Sequence, residues 1–239
     1  MGLERAPGLG RLRRALAVVA HPDDESFGLG AVLAHLVTRG VSVSLLCFTH
    51  GEASTLGAST TGRDDLGVRR AAELRKAADQ LGLDEVALLD YPDDELVTIP
   101  TGELDAHVEA HVQAIMAAQP HEPPALVAFE RGGVTGHLDH RAATAAAWRV
   151  ASRRGLPLLE WTVAPEVADA LNAELGTSFA SFMPGAAPIA LHVDRSVQAR
   201  AVACHASQVA GNAVLARRLE LQGGVELVRW LTPAGAEAP

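Results

Sequence analysis

Residues 16–25 read LAVVAHPDDE, an apolar run that meets a histidine, a proline and three acids. The apolar part, 15–20, predicts a short buried β-strand. The PDDE that follows is typical of a first helical turn, where proline is tolerated and acidic side chains interact favourably with the helix dipole. A strand that leads into a helix is the repeating unit of parallel α/β proteins, so this stretch indicates how the fold begins.

The rest of the chain continues the alternation. Strands are predicted at 15–20, 41–48, 86–89, 125–129, 158–163 and 189–193, and helices at 30–38, 69–81, 103–118 and 139–153. This pattern predicts an α/β fold with a Rossmann-like, mainly parallel sheet and helices on both faces. We expect a single domain over residues 1–239, with a core of about 15–208. The less regular C-terminal part, with a helix-like stretch at 196–219, is expected to pack over one edge of the sheet.

Composition excludes several classes of protein. The net charge of −9 argues against nucleic-acid binding, which needs a basic face. No apolar run approaches the length of a membrane span. Two cysteines far apart in sequence do not suggest a disulfide framework. We therefore expect a cytoplasmic protein that acts on a small molecule and binds neither nucleic acid nor membrane, and leave open whether it forms a homo-oligomer.

Polar residues follow four of the predicted strands. They lie in the segments 21–25 (HPDDE), 49–52 (THGE), 90–95 (DYPDDE) and 130–133 (ERGG). In open parallel sheets, ligands bind at the carboxyl ends of the strands. These segments are therefore expected to meet at one rim of the sheet.

The first of these segments has the spacing of a metal site. His21 and Asp24, three residues apart on a strand-to-helix turn, can face one centre, and His140 after the fourth strand would complete a set of two histidines and one carboxylate. PDDE alone also fits an ordinary helix start, and that reading accounts for its second copy at 92–95, where Tyr91 replaces the histidine. The pairing of His21 with a distant His-x-Asp-His segment favours a metal. Such a set suits zinc and also ferrous iron.

Two segments carry a family resemblance. Residues 20–25 (AHPDDE) and 136–140 (GHLDH) resemble the two signature motifs of the LmbE-like (PIG-L) N-acetylglucosaminyl deacetylases. Weaker matches are 49–53 (THGEA), 70–74 (RAAEL) and 205–208 (HASQ), so the resemblance covers most of the chain. Thr135 departs from it, because some relatives have a tyrosine at this position.

The resemblance implies a mechanism. Zinc would be bound by His21, Asp24 and His140, with Asp23 as general base and a protonated His137 as the electrostatic partner of the oxyanion. This agrees with the chemistry of an amide, which is a poor electrophile and needs the hydroxide that zinc generates near neutral pH.

Other residues receive supporting roles. Asp139, between the two histidines, could hold one imidazole in its working tautomer and is counted with the catalytic residues. Arg70 resembles an arginine that contacts substrate in related enzymes, and Glu52 and Asp93 are further candidate substrate contacts.

The sequence leaves several functions open. The favoured one is a metal-dependent hydrolase that removes an N-acetyl group from a small amino-sugar glycoside. A thiol-conjugate amidase and a non-catalytic metal- or sugar-binding protein on the same fold are alternatives. A receiver domain is disfavoured, because Lys76, the only lysine, falls within a predicted helix instead of after the fifth strand.

Overall fold

The computed structural model describes residues 12–56, 62–182 and 188–231. Their strands are β1 (Arg14–Val19), β2 (Ser42–Thr49), β3 (Glu85–Tyr91), β4 (Ala125–Phe129), β5 (Leu158–Thr162), β6 (Ile189–His192) and β7 (Val225–Leu231). They form one sheet in the order β3-β2-β1-β4-β5-β7-β6. The first five strands pair in parallel, β7 is antiparallel to β5, and β6 is antiparallel to β7.

Helices cover both faces of this sheet. They are α1 (Asp24–Phe27), α2 (Gly30–Thr38), α3 (Arg63–Leu81), α4 (Thr101–Ala118), α5 (Gly133–Gly136), α6 (Leu138–Arg154), α7 (Pro165–Leu175), α8 (Ser196–Cys204), α9 (Ala206–Val209) and α10 (Ala213–Gln222), with a 3-10 turn at Leu96–Thr98. One apolar core lies between the sheet and α2, α3, α7 and α8, and a second lies under α4 and α6. The predicted α/β class, with a mainly parallel sheet and two covered faces, is confirmed.

The C-terminal part differs from its prediction. It does not pack over the sheet edge but extends the sheet by β6 and β7. The helix-like stretch 196–219 is divided into α8, α9 and α10, with breaks at His205 and at 210–212. Both α7 and β7 are additional elements. In β7 the buried Glu226 interrupts the apolar pattern, which is why periodicity alone did not indicate a strand.

The topology determines where ligands can gather. From β1 the chain builds outward through β2 to β3, and then returns to place β4 on the opposite side of β1. The loops after β1 and β4 therefore diverge, which opens a crevice at the carboxyl end of the sheet. Among the described residues, no helix is both long and apolar enough to cross a membrane.

Candidate active site

The three predicted metal ligands meet at this crevice. His140 Nε2 lies 3.2 Å from His21 Nδ1 and 3.1 Å from Asp24 Oδ1. The other oxygen of Asp24 lies 3.7 Å from His21 Nδ1. A tetrahedral zinc ion with bonds of about 2.0–2.1 Å separates its ligand atoms by about 3.3 Å. The side chains thus have the atoms and the spacing that fit such an ion.

Neighbouring groups orient both imidazoles toward the centre. His140 Nδ1 lies 3.1 Å from the carbonyl oxygen of Gly133, which can only accept, so this nitrogen carries the proton and Nε2 presents its lone pair. His21 Nε2 lies 3.0 Å from Asp93 Oδ1 and 3.4 Å from Asp139 Oδ2, which leaves Nδ1 facing the centre. A carboxylate or carbonyl behind each ligand histidine is the usual arrangement in metal sites.

The charges around the centre favour a cation. Burial alone would lower the pKa of His21, but Asp139 and Asp93 outweigh it and raise that pKa to about 10. Burial would raise the pKa of Asp24, but the charge of His140 lowers it well below its ordinary value. A metal ion must displace the proton that Asp139 and Asp93 retain on the imidazole of His21, so its affinity should fall as the pH is lowered.

A strained turn separates Asp23 from Asp24. Asp23 has φ 125° and ψ −25°, a backbone conformation that residues other than glycine rarely adopt. Asp24 Oδ2 accepts from the backbone N–H groups of Ala20 and His21 at 3.2 and 3.0 Å, which fixes this carboxylate beside the two histidines. The turn therefore gives two adjacent acids different partners, because Asp24 lies beside the two histidines whereas Asp23 pairs with Arg70.

Asp23 has the environment of a general base. Burial raises its pKa to about 6, the charge of Arg70 opposes that rise, and Asp24 adds to it. Arg70 Nη2 lies 3.0 Å from Asp23 Oδ2, and the Asp23 backbone N–H donates to Glu25 Oε2 at 2.9 Å. A carboxylate with a pKa near neutrality can take a proton from water and return it later.

His137 lies beside the predicted metal ligands at the mouth of the cavity. Its ring centroid is 4.9 Å from the centroids of both His21 and His140. Its Nδ1 accepts from the backbone N–H of Asp139 at 3.2 Å, so a neutral ring carries its proton on Nε2. Burial and the charges of His140 and His21 lower its pKa. The geometry thus favours a neutral imidazole that donates from Nε2, whereas the sequence interpretation took the ring as protonated.

Asp139 acts on the protein and does not reach the cavity. Its carboxylate is fully buried and accepts from the backbone N–H groups of Asp94 at 2.8 Å and Leu96 at 3.0 Å. It also lies 3.4 Å from His21 Nε2. Among the predicted roles, orientation of an imidazole fits this position, and that imidazole is the one of His21.

The three candidate substrate contacts are placed differently. Glu52 Oε1 accepts from the N–H of Asp93 at 2.9 Å, and Asp93 Oδ2 accepts from the N–H of Ala53 at 2.8 Å, so these residues join two loops. Arg70 is 3% exposed, and its guanidinium donates to the carbonyls of Pro22 and Gly51. Arg70 and Asp93 border the cavity, whereas Glu52 does not. Arg70 is therefore paired with Asp23 and with two backbone carbonyls while its Nε has no hydrogen-bond partner, and its contact with a substrate stays a prediction.

The cavity has a volume of about 500 Å³ and two kinds of wall. The polar wall carries the metal ligands with Asp23 and His137. Thr135, in place of the tyrosine of some relatives, also lines it. Sequence reasoning missed the apolar wall and its edge, because ordinary core residues give no signal of a site. This wall comprises Phe27, Phe129, Trp161, Phe179 and Leu215, and the guanidinium of Arg218 lies at its edge.

The model of the PIG-L family, described as GlcNAc-PI de-N-acetylase, matches residues 16–151, more than half of the sequence. The protein belongs to this family, and the resemblance inferred from AHPDDE and GHLDH is confirmed.

Individual relatives agree with this assignment. The chain is 33% identical over 150 residues to the 1D-myo-inositol 2-acetamido-2-deoxy-alpha-D-glucopyranoside deacetylase of Kineococcus radiotolerans, an alignment that covers 54% of this chain and 42% of that protein. The chain spans about half the length of the curated relatives that it matches.

Solved structures share the fold at low identity. The N,N'-diacetylchitobiose deacetylase of Pyrococcus horikoshii has a TM-score of 0.66 at 20% identity, over 94% of this chain and 86% of that one. The 4-carboxy-2-hydroxymuconate hydratase of Pseudomonas putida has a TM-score of 0.62 at 16% identity, over 95% and 99%. The two neighbours differ in reaction, so this likeness concerns the fold alone.

Proposed function

We propose that the protein is a metal-dependent hydrolase that removes the N-acetyl group of a small amino-sugar derivative in the cytoplasm. The observation that carries the proposal is the meeting of three candidate ligand side chains, with nitrogen and oxygen atoms 3.1–3.7 Å apart, in the cavity that Asp23 also lines. The names of the relative from Kineococcus radiotolerans and of the chitobiose enzyme support an N-acetyl amino sugar as substrate. A volume of about 500 Å³ suits a small glycoside.

His21, Asp24 and His140 would hold the metal ion. When bound, zinc supplies Lewis acidity and lowers the pKa of a water molecule toward neutrality. Two histidines and a carboxylate also suit ferrous iron, so zinc is our first assignment and metal analysis of the purified protein decides between them.

Residues of the chain carry out the proton transfers and stabilise the developing charge. Asp23 takes the proton of the attacking water, for which its pKa of about 6 is well matched. The Nε2–H of His137 donates to the amide oxygen as negative charge develops there. The proton held by Asp23 then passes to the departing amine, which returns the carboxylate to its starting form.

The direct test is release of free amine from a panel of N-acetylglucosamine glycosides and thiol conjugates. We expect release from the protein as purified, loss after chelation and recovery with zinc. Asp23→Asn should lower turnover at least a hundredfold, in the range of general-base removal, while metal content stays at the wild-type level. Asp169→Asn, an exposed aspartate on α7, is the matched control and should retain full activity. Equal turnover by Asp23→Asn and wild type would refute the role of Asp23.

The panel also separates the alternative functions. Release from thiol conjugates but from no glycoside would identify an amidase of thiol conjugates. Binding of zinc and glycosides with no amine release from any member would identify a binding protein on the same fold.

A further inference from the structure

Arg218, on α10, is a buried cation at the edge of the cavity. Its exposed fraction is 4%, and it lines the same cavity as the metal ligands. Its terminal nitrogens donate to Gln222 Oε1 at 2.9 Å and to the backbone carbonyl of Phe27. Within 12–56, 62–182 and 188–231, no carboxylate oxygen lies within 4.0 Å of this guanidinium. A guanidinium offers five N–H donors, so donors remain for a ligand.

The surrounding cluster carries an excess of positive charge. Glu226, fully buried, pairs with Arg195 at 2.5 Å and accepts from Trp161 Nε1 at 2.6 Å. Among the described contacts, it reaches Arg218 only through Gln222, whose amide donates to its second oxygen. The cluster therefore has two guanidiniums and one carboxylate, and that carboxylate pairs directly only with Arg195. Burial of an uncompensated charge is costly, and a protein that maintains one usually has a use for it.

Arg218 keeps its charge at neutral pH. Burial lowers its pKa to about 10, Glu226 opposes that effect, and the charge of Arg195 adds to it. The guanidinium is therefore cationic under ordinary conditions.

An aromatic wall connects this cation with the metal centre. The ring centroids of His140 and Phe129 are 5.0 Å apart, and those of Phe129 and Trp161 are 5.3 Å apart. The Cζ atom of Arg218 lies 5.5 Å from the Trp161 ring. Two aromatic rings thus separate the guanidinium from a ligand of the metal. A substrate with its amide at the metal and its body against these rings would bring a distal group toward Arg218.

We infer that Arg218 binds an anionic group of the substrate, a carboxylate or a phosphate carried on the part of the amino-sugar derivative that is remote from the amide. This inference rests on the proposed function and narrows its substrate class. Guanidinium is the donor of choice for such oxyanions, because its planar fork matches their geometry.

Matched glycosides test the inference. Benzyl, 4-carboxybenzyl and 4-phosphonobenzyl N-acetylglucosaminides differ only in the distal group, and the two anions distinguish carboxylate from phosphate. We expect wild type to favour one anionic glycoside over the benzyl one by ten- to hundredfold in kcat/KM, the range of a charge-assisted pair. Arg218→Gln should lose this preference, and Arg218→Lys should retain part of it. Equal kcat/KM for all three glycosides with wild type would overturn the inference.

The adjacent arginine provides the control. Arg217 is paired with Glu174 at 2.7 Å and Glu220 at 2.9 Å on the outer side of α10, so Arg217→Gln should keep the wild-type preference. A thermal melt of each variant shows whether it is folded. An equal loss of preference in Arg217→Gln and Arg218→Gln would overturn the inference.

Binding without turnover separates this inference from the proposed function. Calorimetry on chelated protein measures the affinity of 4-carboxybenzyl and 4-phosphonobenzyl glucosaminides, which have no amide to hydrolyse. Wild type should bind one of them at least tenfold more tightly than Arg218→Gln does. That result without any amine release would support the anion site and refute the deacetylase. Equal affinity in both proteins would overturn the anion site, whether or not amine is released.

Discussion

Asp23, Asp94 and Val134 adopt φ values of 125°, 70° and 64°. Such values strain the backbone of any residue other than glycine, at a cost on the order of 1–3 kcal/mol each. All three residues line the cavity that holds the proposed metal ligands. Strain of this kind persists only where surrounding contacts enforce it, and here the enforced conformations aim Asp23 and shape two loops of the site. This concentration of strain in one place is independent support for a functional cavity.

Gly51 tests how closely Asp23, the proposed general base, is positioned. Gly51 has φ 67°, and a Cβ atom placed on it would overlap the guanidinium of Arg70. Gly51→Ala must therefore displace the guanidinium that holds Asp23, and we expect at least a tenfold loss of kcat with metal content unchanged.

Gly40→Ala is the matched control for that prediction. Gly40 has φ 79°, and a Cβ atom at this position would have no neighbour within 4 Å, so the substitution adds backbone strain without a clash. It should cost about 1 kcal/mol of folding stability and no activity. If both variants lose activity equally, strain alone is responsible, and the contact with Arg70 is not.

At the scale of elements, the sequence predicted correctly the strands and helices that have a clear local pattern. β4 and α2 have the predicted bounds, because apolar runs and helical periodicity arise from neighbouring residues. β7 could not be found this way, since Glu226 lies in its buried interior and is tolerated because Arg195, Trp161 and Gln222 reach it from other parts of the chain. The ion pair between Arg70 and Asp23 likewise joins residues 47 positions apart, a relationship that no spacing rule contains.

Ion pairs connect α4 with α6, and their contribution to stability should depend on pH. Asp105, on α4, is 6% exposed and accepts from Arg149 and Arg153 of α6 at distances of 2.6–3.1 Å. Burial would raise the pKa of Asp105, but the two arginines lower it. A lowered folded-state pKa contributes stability that is present above the unfolded value of about 4 and is lost as the pH falls through the folded one.

Asp105→Asn should therefore destabilise the protein by about 1–2 kcal/mol at pH 7 in urea unfolding, discounted for the exposure of the arginines. The difference from wild type should shrink as the pH falls below about 4. Glu109→Gln, which removes the more exposed pair with Arg154, should cost less. A destabilisation by Asp105→Asn that stays constant from pH 7 to pH 3 would show that packing, not charge, connects these helices.

At the scale of the whole molecule, the divergence of the chain at β1 explains why the site lies where it does. The loop after β1 supplies His21, Asp23 and Asp24, and the loop after β4 supplies His137 and the N-terminal turn of α6 with His140. Segments more than 100 residues apart thus meet only in the folded sheet, as the 119-residue separation of the two ligand histidines shows. A hydratase shares this fold, so the fold by itself does not determine the reaction. Specificity must come from the residues that line it.

Because the ligands come from two separate loops, metal binding should stabilise the whole fold. Zinc at a hundredfold excess over its Kd should add about 3 kcal/mol to the free energy of unfolding. For a chain of this size that corresponds to a rise in Tm of about 5–10 °C. The measurement is a thermal melt of chelated protein with and without zinc. His140→Ala removes one ligand, so its Tm should not respond to zinc, whereas His192→Ala, an exposed histidine on the edge strand β6, should respond as wild type does. A zinc-induced rise that persists in His140→Ala would mean that the stabilising ion binds elsewhere, and the assignment of this centre would fail.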